Sequence, residues 1–426
     1  MGDRVQRPRG TRDLFNGELE RVRHVERVFK SIFKRYGYQE VETPIFESLE
    51  LFTKKSGSEV VNQIYEFKDK SGRELALRPE LTAPVVRLYN NQLKSEPKPL
   101  KLCYFGSCFR YERKQANRWR QFSQAGVELI GSSRPESDAE MVALTNDVAS
   151  QLELKDYGLR VGDIGVLRKL LIEGGIPIDN QDSILRAIDS KDESRIEGEL
   201  DKSGVNEEIQ EKIRELIKLK GDPNVLEEAK ELLEGVKDSE KTIRDLQEIL
   251  SRAQQLGVRD INIDMGIARG LEYYTGFVIE LYSDDVQLGG GGRYDDLIEV
   301  LGGEPTPAVG MGFGIDRLAQ LLGDQGRDIG VESLESVVLP TGDEMLDECL
   351  SIATELREKG LSIDVDLMGR KLDKALSYAD SRGAKYAIIV GPEDIGEGKV
   401  TLRDMGTGNQ EKVSRGKIVK ELSKKI

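Results

Sequence analysis

The segment that says most about this chain reads Arg269-Gly-Leu-Glu-Tyr-Tyr-Thr-Gly276, and Gly289-Gly-Gly-Gly-Arg-Tyr-Asp-Asp296 follows it closely. Glycine removes the side chain that would hold a ligand away, so a glycine run lets the backbone approach a small molecule. An arginine and two tyrosines stand beside that run and can supply charge and hydrogen bonds. The two segments together predict the wall of a ligand pocket. The alternative is a glycine-rich β-bulge with aromatic side chains packed behind it.

The length and composition predict a large protein of several domains. The chain has 426 residues, of which 33% are charged, and its mean hydropathy is −0.46. We expect no membrane span and no signal peptide, because no long apolar run is present at the N-terminus or elsewhere. A cytoplasmic location follows as an expectation. Three cysteines, two of them in one aromatic, strand-like segment, predict reduced and buried thiols rather than a disulfide or a zinc site.

The single histidine, His24, excludes several kinds of catalytic site. Catalytic triads, histidine general bases and HExxH metal sites all need histidines that this chain lacks. The net charge of −14 argues against a nucleic-acid partner. Lys and Arg are nevertheless in local excess in residues 1–40, 110–120 and 412–426. These segments are either contacts for phosphates or solvated helix faces.

Hydrophobic periodicity divides the chain into four parts. Residues 1–164 and 258–325 have strand-like segments and glycine loops, which predict one antiparallel, sheet-centred domain in two pieces. Residues 165–257 have apolar residues at helical spacing and predict a helical insertion. Residues 332–426 alternate strands and helices and predict a separate α/β domain. The predicted fold class is therefore α+β with a C-terminal α/β domain.

The common phosphate-binding loops are absent. No GxxxxGK[ST] segment occurs, and Gly310-Met-Gly-Phe-Gly314 lacks the GxGxxG spacing. Arginine then remains as the group that could hold phosphate, since its guanidinium binds phosphate oxygens in pairs and also stacks on flat rings. Arg110 at a strand end and Arg317 after the glycine strand are the candidates. The alternative for either residue is a structural ion pair.

These motifs resemble those of class II aminoacyl-tRNA synthetases, and among them the histidyl-tRNA synthetases. Gly37-Tyr-Gln-Glu-Val-Glu-Thr-Pro-Ile-Phe46 resembles the first class motif, and Phe109 to Gln115 with Trp119 to Phe122 resembles the second. Residues 310–318 resemble the third. The segments 269–275 and 289–296 resemble two signatures that are specific to the histidine enzymes. The resemblance covers the whole chain and implies a class II antiparallel-sheet catalytic domain, a helical insertion and a C-terminal anticodon-binding domain.

The resemblance implies an activity and a set of partners. Such enzymes join L-histidine to ATP, with Mg²⁺ accompanying the ATP, and pass the histidyl group to the 3′ end of histidine tRNA. It also implies a homodimer, with the first motif around Pro44 at the interface. Catalysis of this kind depends on positioning and charge neutralisation, so the missing histidines are no obstacle.

The resemblance also implies roles for particular residues. The catalytic residues would be Arg269, beside the reacting carboxylate, and Arg110, on the α-phosphate. Phe122 and Arg317 would enclose the adenine, with Glu112 at its edge. The histidine site would also contain Glu80, Thr82 and Gln124 for the ammonium group, Glu128 and Tyr274 for the imidazole, and Tyr273. Candidates for the tRNA acceptor end are Arg113 and Gln115.

The sequence departs from the family pattern near the predicted amino-acid pocket. Leu81 and Ala83-Pro84 stand where small residues and no proline are usual, and Ser123 stands where histidine is common. Two other functions fit part of the pattern. One is a non-catalytic regulatory subunit of ATP phosphoribosyltransferase, which usually lacks the C-terminal domain and the arginine signature. The other is a class II synthetase for proline, threonine or glycine, which would not be expected to carry the 269–275 signature.

Overall fold

The computed structural model describes residues 4–54, 61–112, 119–268, 273–284, 286–327, 329 and 334–426, apart from the side chains of 178 and 179. The chain forms two compact units, Met1–Asp328 and Ile329–Ile426. Among the described residues, the first unit contains two β-sheets and the second contains one. Among the described residues, no helix is long and apolar enough to cross a membrane.

The first unit contains most of the chain's elements. Up to residue 163 these are α1 (Asn16–Arg35), β1 (Gln39–Glu40), β2 (Phe46–Ser48), α2 (Leu49–Thr53), β3 (Tyr65–Lys68), β4 (Glu74–Leu77), α3 (Thr82–Leu88), β5 (Leu100–Phe109), β6 (Gln121–Ile130), α4 (Pro135–Gln151) and β7 (Tyr157–Asp163). A π-helical turn, Tyr89–Leu93, continues α3. The remaining elements are α5 (Ile164–Glu173), α6 (Ile178–Ser190), α7 (Glu193–Ser203), α8 (Glu207–Leu216), β8 (Lys220–Gly221), α9 (Val225–Leu232), α10 (Ser239–Gln255), β9 (Asn262–Asp264), β10 (Phe277–Ser283), β11 (Val286–Arg293), α11 (Leu297–Val300), β12 (Ala308–Gly314) and α12 (Ile315–Asp324).

A nine-stranded sheet forms the centre of this unit. Its order is β1-β5-β6-β12-β11-β10-β7-β9-β8. The pairs from β5 through β7 are all antiparallel, whereas β1 joins β5 and β9 joins β7 in parallel. A smaller sheet has the order β2-β4-β3. The antiparallel sheet expected from the sequence is therefore confirmed.

Helix α1 packs beside this sheet because its apolar residues recur every three or four positions. Val25, Phe29 and Ile32 on one face are fully buried. The ring of Phe29 lies 4.8 Å from that of Phe313 in β12. This contact connects α1 to a strand that lines the pocket described below.

Residues 164–255 are mainly helical, in agreement with their apolar spacing. The segment begins at Asp163, whose side chain accepts a hydrogen bond from Gly165 N–H at 2.8 Å and caps α5. The two-residue strand β8 pairs with β9 and so joins this segment to the large sheet. The division of the first unit into a core and an insertion remains a prediction.

The second unit is an α/β domain. It contains β13 (Ser336–Pro340), α13 (Leu346–Arg357), β14 (Ile363–Val365), α14 (Leu372–Ser381), β15 (Tyr386–Val390), α15 (Pro392–Gly396), β16 (Lys399–Asp404), β17 (Gln410–Ser414) and α16 (Ile418–Ser423). The sheet order is β14-β13-β15-β16-β17, with the first three strands parallel and the last two antiparallel. The alternation of strand-like and helix-like sequence predicted strands over residues 336–339, 362–365 and 386–390, which correspond to β13, β14 and β15. It did not predict the final hairpin, β16–β17.

The three cysteines, Cys103, Cys108 and Cys349, are buried free thiols, as predicted. Burial raises the pKa of each thiol to about 12, so none of them is an ionised nucleophile near neutral pH. Any chemistry at the pocket therefore depends on other groups.

Candidate active site

One pocket on the large sheet contains every predicted site residue that the structure describes. Its lining includes ten of them: Glu80, Thr82, Arg110, Glu112, Phe122, Gln124, Glu128, Tyr273, Tyr274 and Arg317. The other three predicted residues, Arg269, Arg113 and Gln115, lie outside the described residues. Residues separated by more than two hundred positions in sequence are thus brought together. Their individual roles remain predictions.

The glycines of β12 give the polar side chains of β6 their space. In the antiparallel register, Gly310 stands opposite Glu128 and Gly314 opposite Gln124. A Cβ atom at Gly310 would lie 1.8 Å from Glu128 Oε2, and one at Gly312 would lie 2.7 Å from Gln124 Nε2. These glycines therefore let carboxyl and amide groups of β6 lie over the neighbouring strand.

Glu128 is buried and bonded to two tyrosines. Tyr104 Oη donates to Glu128 Oε1 at 3.0 Å, and the Tyr294 hydroxyl donates to Oε2. Burial raises the pKa of Glu128 to about 8, although both hydrogen bonds act in the opposite direction. The carboxyl group is thus poised between its neutral and ionised forms near physiological pH.

Sequence reasoning missed both tyrosines that hydrogen-bond Glu128, namely Tyr294, which lines the pocket, and Tyr104. The sequence could have identified Tyr294, because this residue belongs to the segment 289–296 that predicts the pocket wall. Tyr104 lies on β5 opposite Gly126, and a Cβ at that glycine would meet the Tyr104 hydroxyl at 2.3 Å. Only the strand register reveals this relation.

The predicted Tyr274 lies in an aromatic group beside Glu128. Its ring centre is 4.9 Å from that of Tyr273, which in turn lies 5.8 Å from that of Tyr294. Burial raises the pKa of Tyr273 and Tyr294 well above the ordinary value for tyrosine. Their hydroxyls therefore stay protonated and act as neutral hydrogen-bonding groups.

Glu80 lies at the start of α3, where backbone N–H groups are free to bond. Its carboxylate accepts the N–H of Thr82 at 2.5 Å and that of Ala83 at 3.0 Å. Burial nevertheless raises the pKa of Glu80. Leu81, a departure from the family pattern, is buried directly before this helix. The unusual residues at positions 81 and 83 are therefore accommodated without displacing Glu80 from the pocket.

Two arginines of the pocket are anchored to main-chain carbonyls. Arg110 Nε donates to the carbonyl of Pro79 at 2.8 Å, and Arg317 Nη1 donates to that of Gln287 at 2.7 Å. The Arg110 guanidinium lies 5.3 Å from the centre of the Phe122 ring. Such anchoring fixes two cations on the pocket wall, where they can neutralise an anionic ligand.

The antiparallel sheet, with arginines and buried carboxyl groups on one face, is the architecture of a class II aminoacyl-tRNA synthetase. The sequence model of the histidyl-tRNA synthetase family matches residues 10–318, and that of the anticodon binding domain matches residues 335–425. The chain therefore belongs to the histidyl-tRNA synthetase family.

Proteins named histidine–tRNA ligase match nearly the whole chain. One from Methanocaldococcus jannaschii is 46% identical over 408 residues, covering 95% of this chain and 96% of that protein. One from Thermococcus kodakarensis is 42% identical and covers 98% of both chains. The solved histidyl-tRNA synthetase from Nostoc sp. PCC 7120 has a TM-score of 0.82 at 25% identity and covers both chains completely.

The regulatory-subunit alternative is not supported by these relatives. A solved Bacillus halodurans structure, described as an ATP phosphoribosyltransferase regulatory subunit/histidyl-tRNA synthetase, has a TM-score of 0.79 at 23% identity and covers 92% of this chain. At that identity the likeness concerns the fold alone. The ligase relatives share far more sequence and include the C-terminal domain.

Proposed function

We propose that this chain activates L-histidine with ATP, forming histidyl-adenylate and pyrophosphate, and transfers the histidyl group to the 3′ end of histidine tRNA. One observation carries the choice of amino acid. The Glu128 carboxyl is buried in the pocket between two tyrosine hydroxyls, with Tyr274 nearby. A neutral imidazole has one N–H donor and one bare nitrogen acceptor, so a carboxylate and a phenol hydroxyl can satisfy both.

Histidine would occupy the part of the pocket that contains Glu128. Glu128 would accept the ring N–H and Tyr274 would donate to the other ring nitrogen, with Tyr273 packed beside them. Glu80, Thr82 and Gln124 would receive the α-ammonium group, which has three hydrogens to donate. An amino acid without the ring N–H would leave the buried carboxyl group unpaired, which is a strong basis for discrimination.

ATP would occupy the part of the pocket that contains the arginines. Phe122 and Arg317 would enclose the adenine, Glu112 would stand at its edge, and Arg110 would neutralise the α-phosphate. A carboxylate oxygen of histidine attacks the α-phosphorus and pyrophosphate leaves. Arg269 would neutralise charge at the reacting groups. This displacement needs positioning and fixed positive charge rather than a histidine base.

Mg²⁺ would enter with the phosphates of ATP, where it neutralises the leaving pyrophosphate. We assign it no protein ligand. Within the part of the chain that the structure describes, no group of three or more His, Cys, Asp or Glu side chains could hold a metal ion.

In the second step, a ribose hydroxyl at the 3′ end of the tRNA attacks the histidyl carbonyl and AMP leaves. Arg113 and Gln115 are proposed to contact that end of the tRNA. We assign residues 332–426 to anticodon binding, residues 1–164 and 258–325 to the catalytic core, and residues 165–257 to the insertion. We also propose that the chain forms a homodimer through the segment around Pro44. The next two residues, Ile45 and Phe46, are apolar and exposed, which is compatible with an interface there. We further propose a cytoplasmic location.

The direct test is aminoacylation with the purified full chain. Labelled L-histidine and ATP are supplied with an unmodified histidine tRNA transcript or, as the control, with a phenylalanine tRNA transcript. We expect label on the histidine tRNA alone. If the protein is folded and binds ATP but charges neither RNA efficiently, the proposal is contradicted.

A further inference from the structure

The segment before α1 reaches the pocket through Arg12. The Arg12 guanidinium donates to Glu18 Oε1 at 2.5 Å and to Asp316 Oδ1, and it lies 4.9 Å from the centre of the Trp119 ring. The side chains of Arg12 and Asp316 are only 11% and 10% exposed. Arg12 and Asp316 are 304 positions apart in sequence. Trp119 and Asp316 both line the pocket, and Arg12 contacts both of them.

Asp316 connects two sides of the proposed ATP site. One carboxylate oxygen accepts from Arg12, and the other accepts the backbone N–H of Ser123 on β6. Ser123 directly follows Phe122, and Asp316 directly precedes Arg317. The Asp316–Ser123 hydrogen bond therefore fixes the start of α12 against β6, and with it the spacing between Phe122 and Arg317.

The same N-terminal segment is also held along its backbone. The N–H of Arg120 donates to the carbonyl of Gly10 at 2.9 Å, and the N–H of Arg110 donates to the carbonyl of Arg120 at 3.0 Å. Gly10 has a φ of +83°, and a Cβ there would lie 2.7 Å from Arg120 Cδ. Glycine meets both requirements without strain. The segment is thus joined to the end of the β5–β6 hairpin next to the pocket.

We propose that Arg12 is a positioning residue for ATP: by holding the Asp316 carboxylate, it sets the distance and orientation of Arg317 relative to Phe122. This inference rests on the proposed function, because it assigns the adenine to those two residues. Without Arg12, Asp316 would be a largely buried carboxylate that has lost its counter-ion, and such a group reorients towards water or another cation. The Asp316–Ser123 hydrogen bond would then weaken. The histidine part of the pocket, around Glu128, would be unaffected.

The test compares how each variant changes the KM for ATP and the KM for histidine. Histidine-dependent ATP–pyrophosphate exchange is measured for the wild type, Arg12→Ala, Arg12→Lys and the control Arg7→Ala. Arg7 lies in the same segment but is exposed, and its ion pair with Asp13 is long, at 3.7 Å. ATP binding is also measured directly by the fluorescence of Trp119, the chain's only tryptophan.

We expect Arg12→Ala to raise both the KM and the dissociation constant for ATP by about tenfold or more, the change that corresponds to about 1.4 kcal/mol. The KM for histidine should change by less than about twofold, and kcat at saturating ATP should largely recover. Arg12→Lys should lie between wild type and Arg12→Ala, because lysine keeps the charge but not the planar fork that spans Glu18 and Asp316. Arg7→Ala should match the wild type.

Two results would overturn the inference. One is an unchanged ATP affinity in Arg12→Ala. The other is an equal rise in the KM values for ATP and histidine in Arg12→Ala, together with a lower melting temperature measured in the absence of ATP. That result indicates a general structural role for Arg12. If Arg12→Ala does not fold, the comparison of Arg12→Lys with Arg7→Ala decides by the same criterion. If the wild type shows no histidine-dependent exchange, the proposed function is contradicted instead. The ATP affinities of the wild type and Arg12→Ala, measured by fluorescence, then still show whether Arg12 affects ATP binding.

Discussion

Among single residues, Glu128 has the environment that bears most directly on histidine binding. Its carboxyl is buried, and its pKa is raised to about 8 despite hydrogen bonds from Tyr104 and Tyr294. An ionised carboxylate can only accept hydrogen bonds, so it matches the ring N–H of a neutral imidazole. With a pKa of about 8, however, much of this carboxyl carries a proton at neutral pH before histidine binds. Histidine binding should therefore be coupled to the loss of that proton.

We predict that the KM for histidine falls as the pH rises from about 6.5 to about 9. Below the raised pKa, Glu128 must lose its proton before histidine binds, and this weakens binding by about 1.4 kcal/mol for each pH unit below the pKa. Glu128→Gln should raise this KM by at least about tenfold and remove its dependence on pH in this range. The exposed Glu50→Gln serves as a control and should keep the wild-type profile. Pyrophosphate exchange at saturating ATP measures all three proteins. A wild-type KM that stays constant above pH 7 would contradict the coupling.

Among elements, the paired strands β6 and β12 determine the shape of the pocket. The glycines of β12 alternate with apolar residues, and each lies opposite a small or polar residue of β6. The carboxyl group of Glu128 occupies the space that a side chain at position 310 would need. The glycine strand and the recognition carboxyl therefore form one structural unit.

Gly310→Ala tests this unit. The new Cβ would lie 1.8 Å from Glu128 Oε2 and 2.8 Å from the carbonyl oxygen of Val127, so Glu128 must leave its position. We expect a loss of about 1–3 kcal/mol in the free energy of unfolding, as for other overpacked sites, and a large rise in the KM for histidine. Gly314→Ala is a matched control on the same strand, since its Cβ would meet no atom closer than 3.5 Å.

Urea unfolding and pyrophosphate exchange measure both variants. If Gly310→Ala and Gly314→Ala have the same stability and the same KM for histidine, the glycine at position 310 does not serve Glu128.

Local patterns predicted much of the fold but not the contacts between distant segments. The hairpin β5–β6, the helical segment and β13 to β15 all have clear periodicity. The final hairpin β16–β17 was missed because its exposed strand reads Gln410-Glu-Lys-Val-Ser414, with only one buried residue. Tyr104 looks like any core residue of β5, and its bond to Glu128 depends on strand register. Arg12 meets Asp316 only in the folded chain.

In the whole molecule, chemistry and tRNA selection are assigned to different units. All the described residues that line the pocket belong to Met1–Asp328, whereas the anticodon-binding match covers residues 335–425 of the second unit. Binding of an RNA backbone depends on cations and is weakened by salt. The second unit should therefore contribute mainly to affinity for tRNA.

A chain that ends at Asp328 should keep histidine-dependent pyrophosphate exchange but charge tRNA poorly, chiefly through a higher KM for tRNA. Its oligomeric state must be compared with that of the full chain before the kinetics are interpreted. A truncated protein with the same oligomeric state that charges histidine tRNA as well as the full chain would assign the second unit another role.

The measurement that tests the central claim most directly is ATP–pyrophosphate exchange with each of the standard amino acids in turn. We predict that L-histidine alone supports rapid exchange, and that Glu128→Ala lowers its kcat/KM by about a hundredfold or more, as expected when a buried recognition group is removed. If another amino acid supports exchange while histidine does not, the pocket around Glu128 is not a histidine site.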